Sequence, residues 1–229
     1  MAQRLIDLSQ EFFEGMPVYP LHQKTFIFQN ITHEECKKKL GSKLGFATRN
    51  LLINEHAGTH CDAVYEYNPA GDTIDKMPLE YFWGAAICLD VSHIGYERYI
   101  TKEDIKEALN KAGLDLRQGD ILLLYTATWN RLYGTDKYLT EYTGLNREAA
   151  EWIADQGVVN IGVDSPSIDH PDDPEFVGHA VCGERNMSNT EHLANLDQVA
   201  GKRFLYFGLP LKIRGGTGSP IRAIAILND

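Results

Sequence analysis

Short segments rich in β-branched and aromatic residues constrain the fold of this chain more than any other feature. They are typical of β-strands and span residues 5–8, 25–31, 48–53, 86–91, 120–125, 158–163, 203–207 and 220–227. Two helices are also predicted, one between Thr101 and Gly113 and one from Arg147 to Asp155, because capping residues flank both segments. Helix and strand alternate in the second half, which predicts a mixed sheet with at least one right-handed parallel crossover.

The domain organisation predicted from the sequence is simple. No internal repeat, low-complexity tract or Pro/Ser-rich linker divides the chain. The strand-rich first third favours a second, antiparallel layer. A length of 229 residues suits one large domain. We therefore predict an α/β fold in which residues 1–229 form a single compact domain of layered mixed β-sheet with flanking helices.

The charge balance argues against nucleic acid as a partner. Lys and Arg number 22 and Asp and Glu 32, a formal charge of −10, which is the wrong sign for a protein that neutralises phosphates. The apolar runs are too short to cross a bilayer, and the N-terminal residues lack the apolar stretch of a signal peptide. We expect a cytoplasmic protein that binds neither nucleic acid nor membranes. The four cysteines form no CxxC pair and are predicted to be free, buried thiols.

The most informative segment for function contains His56, His60, Asp62 and Glu66 within eleven residues. Two imidazoles and a carboxylate suit Zn or Mn, and three protein ligands leave a coordination position open for water or substrate. Gly58 predicts a turn that brings both rings to one ion. A loop cluster that holds no metal is the alternative interpretation, because histidines at this spacing also occur by chance.

The second half of the chain offers further polar residues for a second metal site. Position alone does not choose among His170, His179, Glu184, Glu191 and His192. Asp164 and Asp169 follow a predicted strand, where sites in α/β sheets often open, but turn formation is the simpler interpretation. We expect His170 to be a loop histidine that faces solvent. Cys61, between two candidate ligands, is predicted to point away from the ion.

Several segments, in the same order along the chain, carry a family resemblance. They are residues 15–20 (GMPVYP), 56–62 (HAGTHCD), 162–169 (GVDSPSID), 191–196 (EHLANL), 209–212 (LPLK) and 219–223 (SPIRA). These resemble the motifs of the cyclase family of metal-dependent hydrolases, which includes bacterial kynurenine formamidase and isatin hydrolase. Several motifs in order are far more specific than any one of them, and together they cover nearly the whole chain.

The resemblance implies a cyclase-like swivelling β/β/α fold with one or two divalent ions, Zn foremost and Mn as the alternative. His56, His60 and Asp62 match the ligands of the first ion, and Asp62, His179 and Glu191 match those of the second. Tyr19 occupies the position where formamidases place an aromatic residue, usually Trp, against the substrate ring. Such ions lower the pKa of bound water towards about 7 and polarise a carbonyl, so metal-bound hydroxide can attack an amide.

The signature departs from that of the formamidases at two positions. They continue it to HxGTHxDxPxH, where the last His moves protons, whereas this chain has Val64 for the Pro and Glu66 for the His. A carboxylate can still act as a general base, but it is a poorer acid at neutral pH unless burial raises its pKa. Glu66 is therefore interpreted as a catalytic base, a metal ligand or a bystander that marks lost activity.

The leading functional hypothesis is a metal-dependent hydrolase of a C–N amide bond. The resemblance implies an arylformamidase that acts on N-formylkynurenine, in the kynurenine pathway of tryptophan catabolism. A ring-opening hydrolase of a lactone or an isatin-type cyclic amide is the alternative among enzymes, and a non-catalytic, metal-dependent binder of small molecules is the alternative outside them. The resemblance also implies a homo-oligomer, either a dimer or a tetramer.

Overall fold

A mixed β-sheet of nine strands lies at the centre of the protein. The computed structural model describes residues 3–228. Its strands are β1 (Gln3–Asp7), β2 (Phe26–Ile31), β3 (Thr48–Leu52), β4 (His60–Asp62), β5 (Trp83–Asp90), β6 (Ile121–Tyr125), β7 (Asn160–Val163), β8 (Ser188–Glu191), β9 (Lys202–Phe207), β10 (Gly218–Pro220) and β11 (Ile224–Asn228). Its helices are α1 (His33–Leu40), α2 (Lys102–Ala112), α3 (Thr128–Leu132), α4 (Arg147–Asp155) and α5 (Val177–Arg185).

The order of strands in the large sheet is β1-β11-β9-β5-β6-β7-β8-β4-β10. The four consecutive strands β5, β6, β7 and β8 are parallel, and helices connect them. The remaining pairs are antiparallel. The predicted α/β fold with parallel crossovers is thus confirmed. Strands from both ends of the chain meet in this sheet, since β1 pairs with β11.

Strand β6 shows how the sheet separates two apolar cores. Successive side chains of a strand point to opposite faces. Leu122 and Leu124 accordingly pack with Ile105 of α2 and Ile153 of α4 on one face. Leu123 packs into the other core, together with residues of β9 and β11. Because both faces of β6 are covered, the strand is apolar along its whole length, as is typical of parallel sheets.

Both predicted helices are confirmed, with the predicted caps. The Thr101 side chain accepts a hydrogen bond from the backbone N–H of Asp104, and the Asp104 carboxylate accepts one from the backbone N–H of Thr101. Gly113 ends α2 in the left-handed conformation. Asn146 caps α4 through its Oδ1 atom, which accepts from the backbone of Ala149.

Several elements differ from the sequence-based expectation. The predicted strand 220–227 joins two separate elements, because β10 ends at Pro220 and β11 begins only at Ile224; residues 224–227 are confirmed as strand, whereas residues 221–223 are not. Strands β4 and β8 were not predicted, since their sequences, HCD and SNTE, are short and polar. Helix α5 was also not predicted; it contains Gly178 and Gly183, which disfavour a helix interior.

The first third of the chain forms a small separate sheet. Strands β2 and β3 pair only with each other, in antiparallel register. The predicted antiparallel layer is therefore confirmed for these two strands, whereas β1 joins the large sheet. Within residues 3–228, no helix is long and apolar enough to span a membrane.

Candidate metal centre

A turn before β4 positions the first two histidines. The Asn54 side chain accepts a hydrogen bond of 2.8 Å from the backbone N–H of His56. Gly58 has a φ of +59°, a conformation that other residues adopt only with strain. A Cβ atom at this position would also lie 2.9 Å from the end of the Met16 side chain. The predicted turn is confirmed, and both rings are largely buried.

Three more candidate ligands reach the same point from β4, α5 and β8. His60 and Glu191 are direct partners across the antiparallel β4–β8 pair. Asp62 lies two residues after His60 and therefore on the same face of the strand. His179 projects from the first turn of α5. All four of these side chains are buried.

The side chains form two triads that share one carboxylate. The ligand atoms within each triad lie within 4.8 Å of one another. The first triad is His56, His60 and Asp62, and the second is Asp62, His179 and Glu191. The structure therefore brings together all five residues that were predicted as metal ligands.

The ring orientations of two histidines are fixed by partners outside the triads. Nδ1 of His60 donates to the carbonyl oxygen of Gly58 at 2.7 Å. Nδ1 of His179 likewise lies 2.5 Å from Oδ2 of Asp169. When either ring is neutral, its proton therefore lies on Nδ1 and its lone pair on Nε2, the form in which imidazole binds metals.

Those lone pairs point towards carboxylates. Nε2 of His60 lies 3.3 Å from Oδ1 of Asp62 and 3.5 Å from Oε2 of Glu191. This buried nitrogen has no hydrogen-bond partner among residues 3–228. Nε2 of His179 lies 3.3 Å from Oε1 of Glu191. A lone pair that faces a carboxylate is repelled unless a positive charge lies between them.

His56 is held by a longer chain of hydrogen bonds. Thr217 donates its hydroxyl proton to Oε2 of Glu55 at 2.8 Å. The Thr217 oxygen can then accept a bond from Nε2 of His56, at 2.9 Å. The other nitrogen, Nδ1, lies 2.6 Å from Oδ1 of Asp62; it donates a proton to that carboxylate when the ring is charged and carries a lone pair when the ring is neutral. All three histidines thus share one pattern, with the far nitrogen protonated and the near nitrogen facing a carboxylate.

The attraction between the imidazoles and the carboxylates shifts their pKa values in opposite directions. Burial lowers the pKa of His179, but the carboxylates of Asp169 and Glu191 outweigh it and hold the pKa well above its ordinary value. Burial raises the pKa of Asp62, but the imidazoles of His60 and His56 outweigh it and hold that pKa well below the usual range. The site therefore favours positive charge, for which protons and a metal cation compete.

A divalent cation fits this arrangement. The donor set consists of imidazole nitrogens and carboxylate oxygens, which suit Zn or Mn. A cation would take the place of the protons that the carboxylates favour on these histidines, whose pKa values are raised. Asn189, two residues before Glu191, supports the shared carboxylate by donating to Oδ2 of Asp62 at 2.5 Å.

Glu66 lies beside the first triad. Its Oε1 atom is 3.5 Å from Nδ1 of His56, and its buried Oε2 atom has no hydrogen-bond partner in the part of the chain that the structure describes. Burial, followed by the charge of Asp62, raises the pKa of Glu66 to about 9. The carboxyl group is therefore close enough to the triads to exchange protons with a group bound there.

The triads lie at the inner end of a cavity of about 410 Å³. Tyr19, Leu21, Tyr142 and Phe176 are among its apolar and aromatic lining residues. The ring of Tyr19 is followed inwards by His22, with ring centroids 5.2 Å apart. Pockets for small molecules have this size and composition.

The sequence matches a known family over most of its length. Residues 6–170 match the family model described as "Putative cyclase". The chain belongs to the cyclase family. The kynurenine formamidase of Paracidovorax citrulli is similar, with 30% identity over 220 residues that cover 96% of this chain and 95% of that protein. The predicted family resemblance is thus confirmed.

Solved structures of isatin hydrolases have the same fold as this cyclase. Isatin hydrolase A from Ralstonia solanacearum has a TM-score of 0.87 and 24% identity, covering 99% of this chain and 92% of that one. An isatin hydrolase bound to the product analogue thioisatinate has a TM-score of 0.87 and 22% identity, covering 99% and 93%. At this identity, the likeness shows the fold alone, and it confirms the predicted fold class.

Two interpretations of residues in this cyclase were wrong. His170 does not face solvent: it is buried, and its two nitrogens contact the backbones of Tyr96 and Asp172. Both ring nitrogens are thereby engaged. Asp169 is more than a turn former, since its carboxylate accepts from the backbone of Gly178 and contacts His179. The contact between Asp169 and His179 could not be predicted from the sequence, because the two residues are ten positions apart.

The remaining residues considered from the sequence lie either at the surface, in the cavity wall or in the apolar core. Glu184 lies outside both triads and pairs with Arg147 at the surface. His192 lines the cavity without belonging to a triad. His22, which the sequence did not single out, also lines the cavity. Cys61 points into the apolar core, as predicted, and all four cysteines are free and buried.

Proposed function

We propose that this cyclase-family protein is a metal-dependent hydrolase of a small amide, with an arylformamide such as N-formylkynurenine as the leading substrate. The observation that carries the proposal is the position of Glu66, whose carboxyl group lies 3.5 Å from His56 at the inner end of the cavity. A proton-transfer group and a set of metal-binding side chains thus face the same space.

Five side chains would hold the metal, and each has a role that its contacts support. His56 and His60 bind with Asp62 in one triad, and His179 and Glu191 complete the second around the shared Asp62. A divalent ion in such a site acidifies a bound water molecule and polarises a carbonyl oxygen. Zn and Mn are the proposed ions, in one or two positions.

Glu66 is the proposed proton carrier. Its Oε atoms accept the proton of the attacking water and return it to the leaving nitrogen. Burial, which raises the pKa of this carboxyl group to about 9, supports the second of these steps because it makes Glu66 an acid that holds a proton at neutral pH. The charge of a bound cation shifts that pKa downwards, which favours the first step.

The outer cavity supports an aromatic substrate. Tyr19 lines the mouth, with its ring partly exposed, and we propose that it stacks on the substrate ring. Tyr142 and Phe176 add apolar surface to the same cavity. A flat aryl group would therefore lie among these side chains while the amide reaches Glu66.

The test is hydrolysis of N-formyl-L-kynurenine by protein stripped of metal and then loaded with Zn or Mn. We expect turnover only with metal, and loss of at least about 100-fold in kcat in Glu66→Gln, since general acid-base catalysis contributes roughly 100- to 10,000-fold. Glu184→Gln is the matched control, because that carboxylate is exposed, pairs with Arg147 and lies outside both triads. Unchanged turnover in Glu66→Gln, with the metal retained, would show that another group carries the proton.

A ring-opening hydrolase of an isatin-type cyclic amide is the second candidate. It is favoured by the substitution at Glu66, since the formamidases have a histidine there and a carboxyl group suits a different leaving group. Isatin tested in the same assay separates the two substrates. Failure of the fully metallated protein to hydrolyse any amide or lactone would favour the non-catalytic binder.

A further inference from the structure

The backbone of His192 is held in an uncommon conformation beside the candidate metal centre. Its φ of +56° lies in the left-handed region, which costs a residue with a side chain on the order of 1–3 kcal/mol. Two hydrogen bonds maintain this conformation. The N–H of His192 donates to the carbonyl oxygen of Ser165 at 3.0 Å, and its carbonyl oxygen accepts from the hydroxyl of Thr59 at 2.6 Å. Strain that the surrounding structure enforces in this way is typical of functional sites.

The ring of His192 is fixed as firmly as its backbone. The hydroxyl of Tyr138 contacts Nδ1, and the side-chain amide of Gln10 donates to that hydroxyl. The backbone N–H of Gln10 donates in turn to the hydroxyl of Thr59 at 2.8 Å, so the supports of the ring and of the backbone are tied together. Among the described residues, Nδ1 is the one acceptor for the Tyr138 proton. With that proton donated to Nδ1, the ring carries its own proton on Nε2.

The Nε2 atom of His192 faces the cavity. It has no hydrogen-bond partner within residues 3–228, and it is not enclosed as the orphaned Nε2 atom of His60 is. Since His192 lines the cavity, this N–H opens onto the space in which a ligand binds. The ring centroids of His192 and His60 are 5.8 Å apart, whereas Glu66 lies beside His56. The inner end of the cavity therefore presents a hydrogen-bond donor and a proton-transfer group at two different positions.

The hydrolysis of an amide has a use for such a donor. When the water oxygen bonds to the carbonyl carbon, the π electron pair of the C=O bond moves onto the carbonyl oxygen, and a proton of the water passes to Glu66. The pair re-forms the C=O bond as the C–N bond breaks, and the nitrogen takes the proton from Glu66. The carbonyl oxygen is most negative between these two events. A fixed donor aimed at it therefore stabilises the transition state more than the substrate.

We propose that His192 is a catalytic residue whose Nε2–H donates to the carbonyl oxygen of the bound amide. Tyr138 is then a positioning residue, because its hydroxyl keeps the ring proton on the nitrogen that faces the cavity. The proposal rests on the proposed hydrolase activity and deepens it. It assigns the carbonyl oxygen to the His60 side of the site and the transferred proton to the His56 side.

Two substitutions separate the donor from the ring. His192→Phe keeps a planar ring without a donor, and His192→Gln keeps an N–H donor on a side chain of similar length. With Zn-loaded protein and N-formyl-L-kynurenine, we expect His192→Phe to lower kcat by about 100-fold, the usual cost of losing one such donor. The KM should change little, because the hydrogen bond is strongest in the transition state. His192→Gln should recover most of the lost kcat.

The position of the ring proton has its own measurement, which needs no turnover. Two-bond ¹⁵N–¹H correlation NMR identifies the protonated nitrogen of a histidine ring, and the His192 signals are assigned by their loss in His192→Phe. We expect the proton on Nε2 in the wild type and on both nitrogens, in exchange, in Tyr138→Phe. Tyr133→Phe is the matched control and should leave the signals unchanged, since the Tyr133 hydroxyl has no hydrogen-bond partner among the described residues.

Three results would overturn the role of His192 while leaving the proposed function intact. They are an unchanged kcat in His192→Phe, equal losses in the Phe and Gln variants, and a proton on Nδ1 in the active wild type. A fall in Zn affinity in His192→Phe would also overturn it, because the residue would then be a ligand. Failure of the proposed function gives a different result, in which the metallated wild type itself hydrolyses no amide and the role of His192 falls with it.

Discussion

The hydroxyl oxygen of Tyr138 lies 2.9 Å from Nδ1 of His192. Nε2 of Gln10 donates to the same hydroxyl at 2.6 Å. Since the Gln10 amide nitrogen only donates, Nδ1 of His192 is the one acceptor for the Tyr138 proton among the described residues, so we infer that His192 keeps its own proton on Nε2. Burial lowers the pKa of His192 to about 3, so the ring is neutral. His192 thus enters the cavity wall as a hydrogen-bond donor of fixed tautomer.

Loss of the Tyr138 hydroxyl should destabilise the protein. In Tyr138→Phe, the buried amide of Gln10 and Nδ1 of His192 both lose their partner, which we expect to cost about 1–3 kcal/mol in the free energy of unfolding. The neighbouring Tyr133 gives a matched control, since its buried hydroxyl has no hydrogen-bond partner within residues 3–228. Urea unfolding should show almost no loss in Tyr133→Phe. Equal losses in both variants would contradict the inferred hydrogen bonds.

Asp169 should control metal affinity through His179. In Asp169→Asn, the amide nitrogen or oxygen must face Nδ1 of His179, and the ring loses the carboxylate that fixes its tautomer. Removal of such a partner typically weakens metal binding by about 10- to 100-fold. Competition with a chromophoric chelator measures the effect for Zn.

Asp173→Asn is the control for that experiment. The Asp173 carboxylate accepts from the backbone of Glu175 and Val177 at the start of α5 but forms no hydrogen bond or ion pair with His179 in the described structure. It should therefore affect helix stability rather than Zn affinity. A Zn affinity that falls equally in both variants would show that Asp169 acts only by supporting α5.

Metal removal should lower the melting temperature. Buried carboxylates and imidazoles are stabilised by a cation that binds only the folded chain, and at a free concentration of 100 times the dissociation constant the gain is about 2.7 kcal/mol. Differential scanning calorimetry with and without chelator measures the shift. His60→Ala should abolish most of the response to Zn. A wild-type protein whose melting temperature ignores Zn would contradict the proposed site.

Asp164 should make stability depend on pH in the direction opposite to most carboxylates. Burial raises its pKa from 3.8 to about 6, and its Oδ2 atom has no hydrogen-bond partner among the described residues. The folded chain therefore binds more protons than the unfolded chain between about pH 4 and pH 6, so this group's contribution to stability falls as pH rises. Above pH 6 the penalty is about 3 kcal/mol.

Asp164→Asn removes that titration. The difference in unfolding free energy between variant and wild type, both without metal, should therefore shift in favour of the variant by about 2–3 kcal/mol between pH 4 and pH 7. Urea unfolding at the two values measures it. An equal difference in unfolding free energy at pH 4 and pH 7 would show that Asp164 is charged at both pH values, with a partner that compensates its burial.

Burial decides which strands the sequence reveals. The central strands β5, β6 and β7 are covered on both faces and are therefore rich in apolar residues. Such strands can be recognised in the sequence as apolar runs, for example ILLLY in β6. Strands β4 and β8 carry the site instead, and their polar side chains give no strand pattern. What stabilises them is their pairing with neighbours that lie far away in the sequence, such as His60 with Glu191.

The same distinction applies to the site. His56, His60 and Asp62 lie within one short segment, so residue chemistry alone predicts them. His179 and Glu191 came from the family resemblance, because no spacing rule connects them to β4. Thr217 was not predicted at all, since its partner His56 lies 161 residues away and a threonine in a loop carries no local signal.

The contact between Thr217 and the Glu55 carboxylate, 162 residues apart, sets an order of events during synthesis. A ribosome releases residue 55 long before residue 217, so a growing chain displays His56, His60 and Asp62 without the group that orients His56. At the proposed metal site, the nascent chain would therefore offer an incompletely oriented set of ligands. His56 gains its orienting partner only once the C-terminal segment has emerged and β10 has paired with β4.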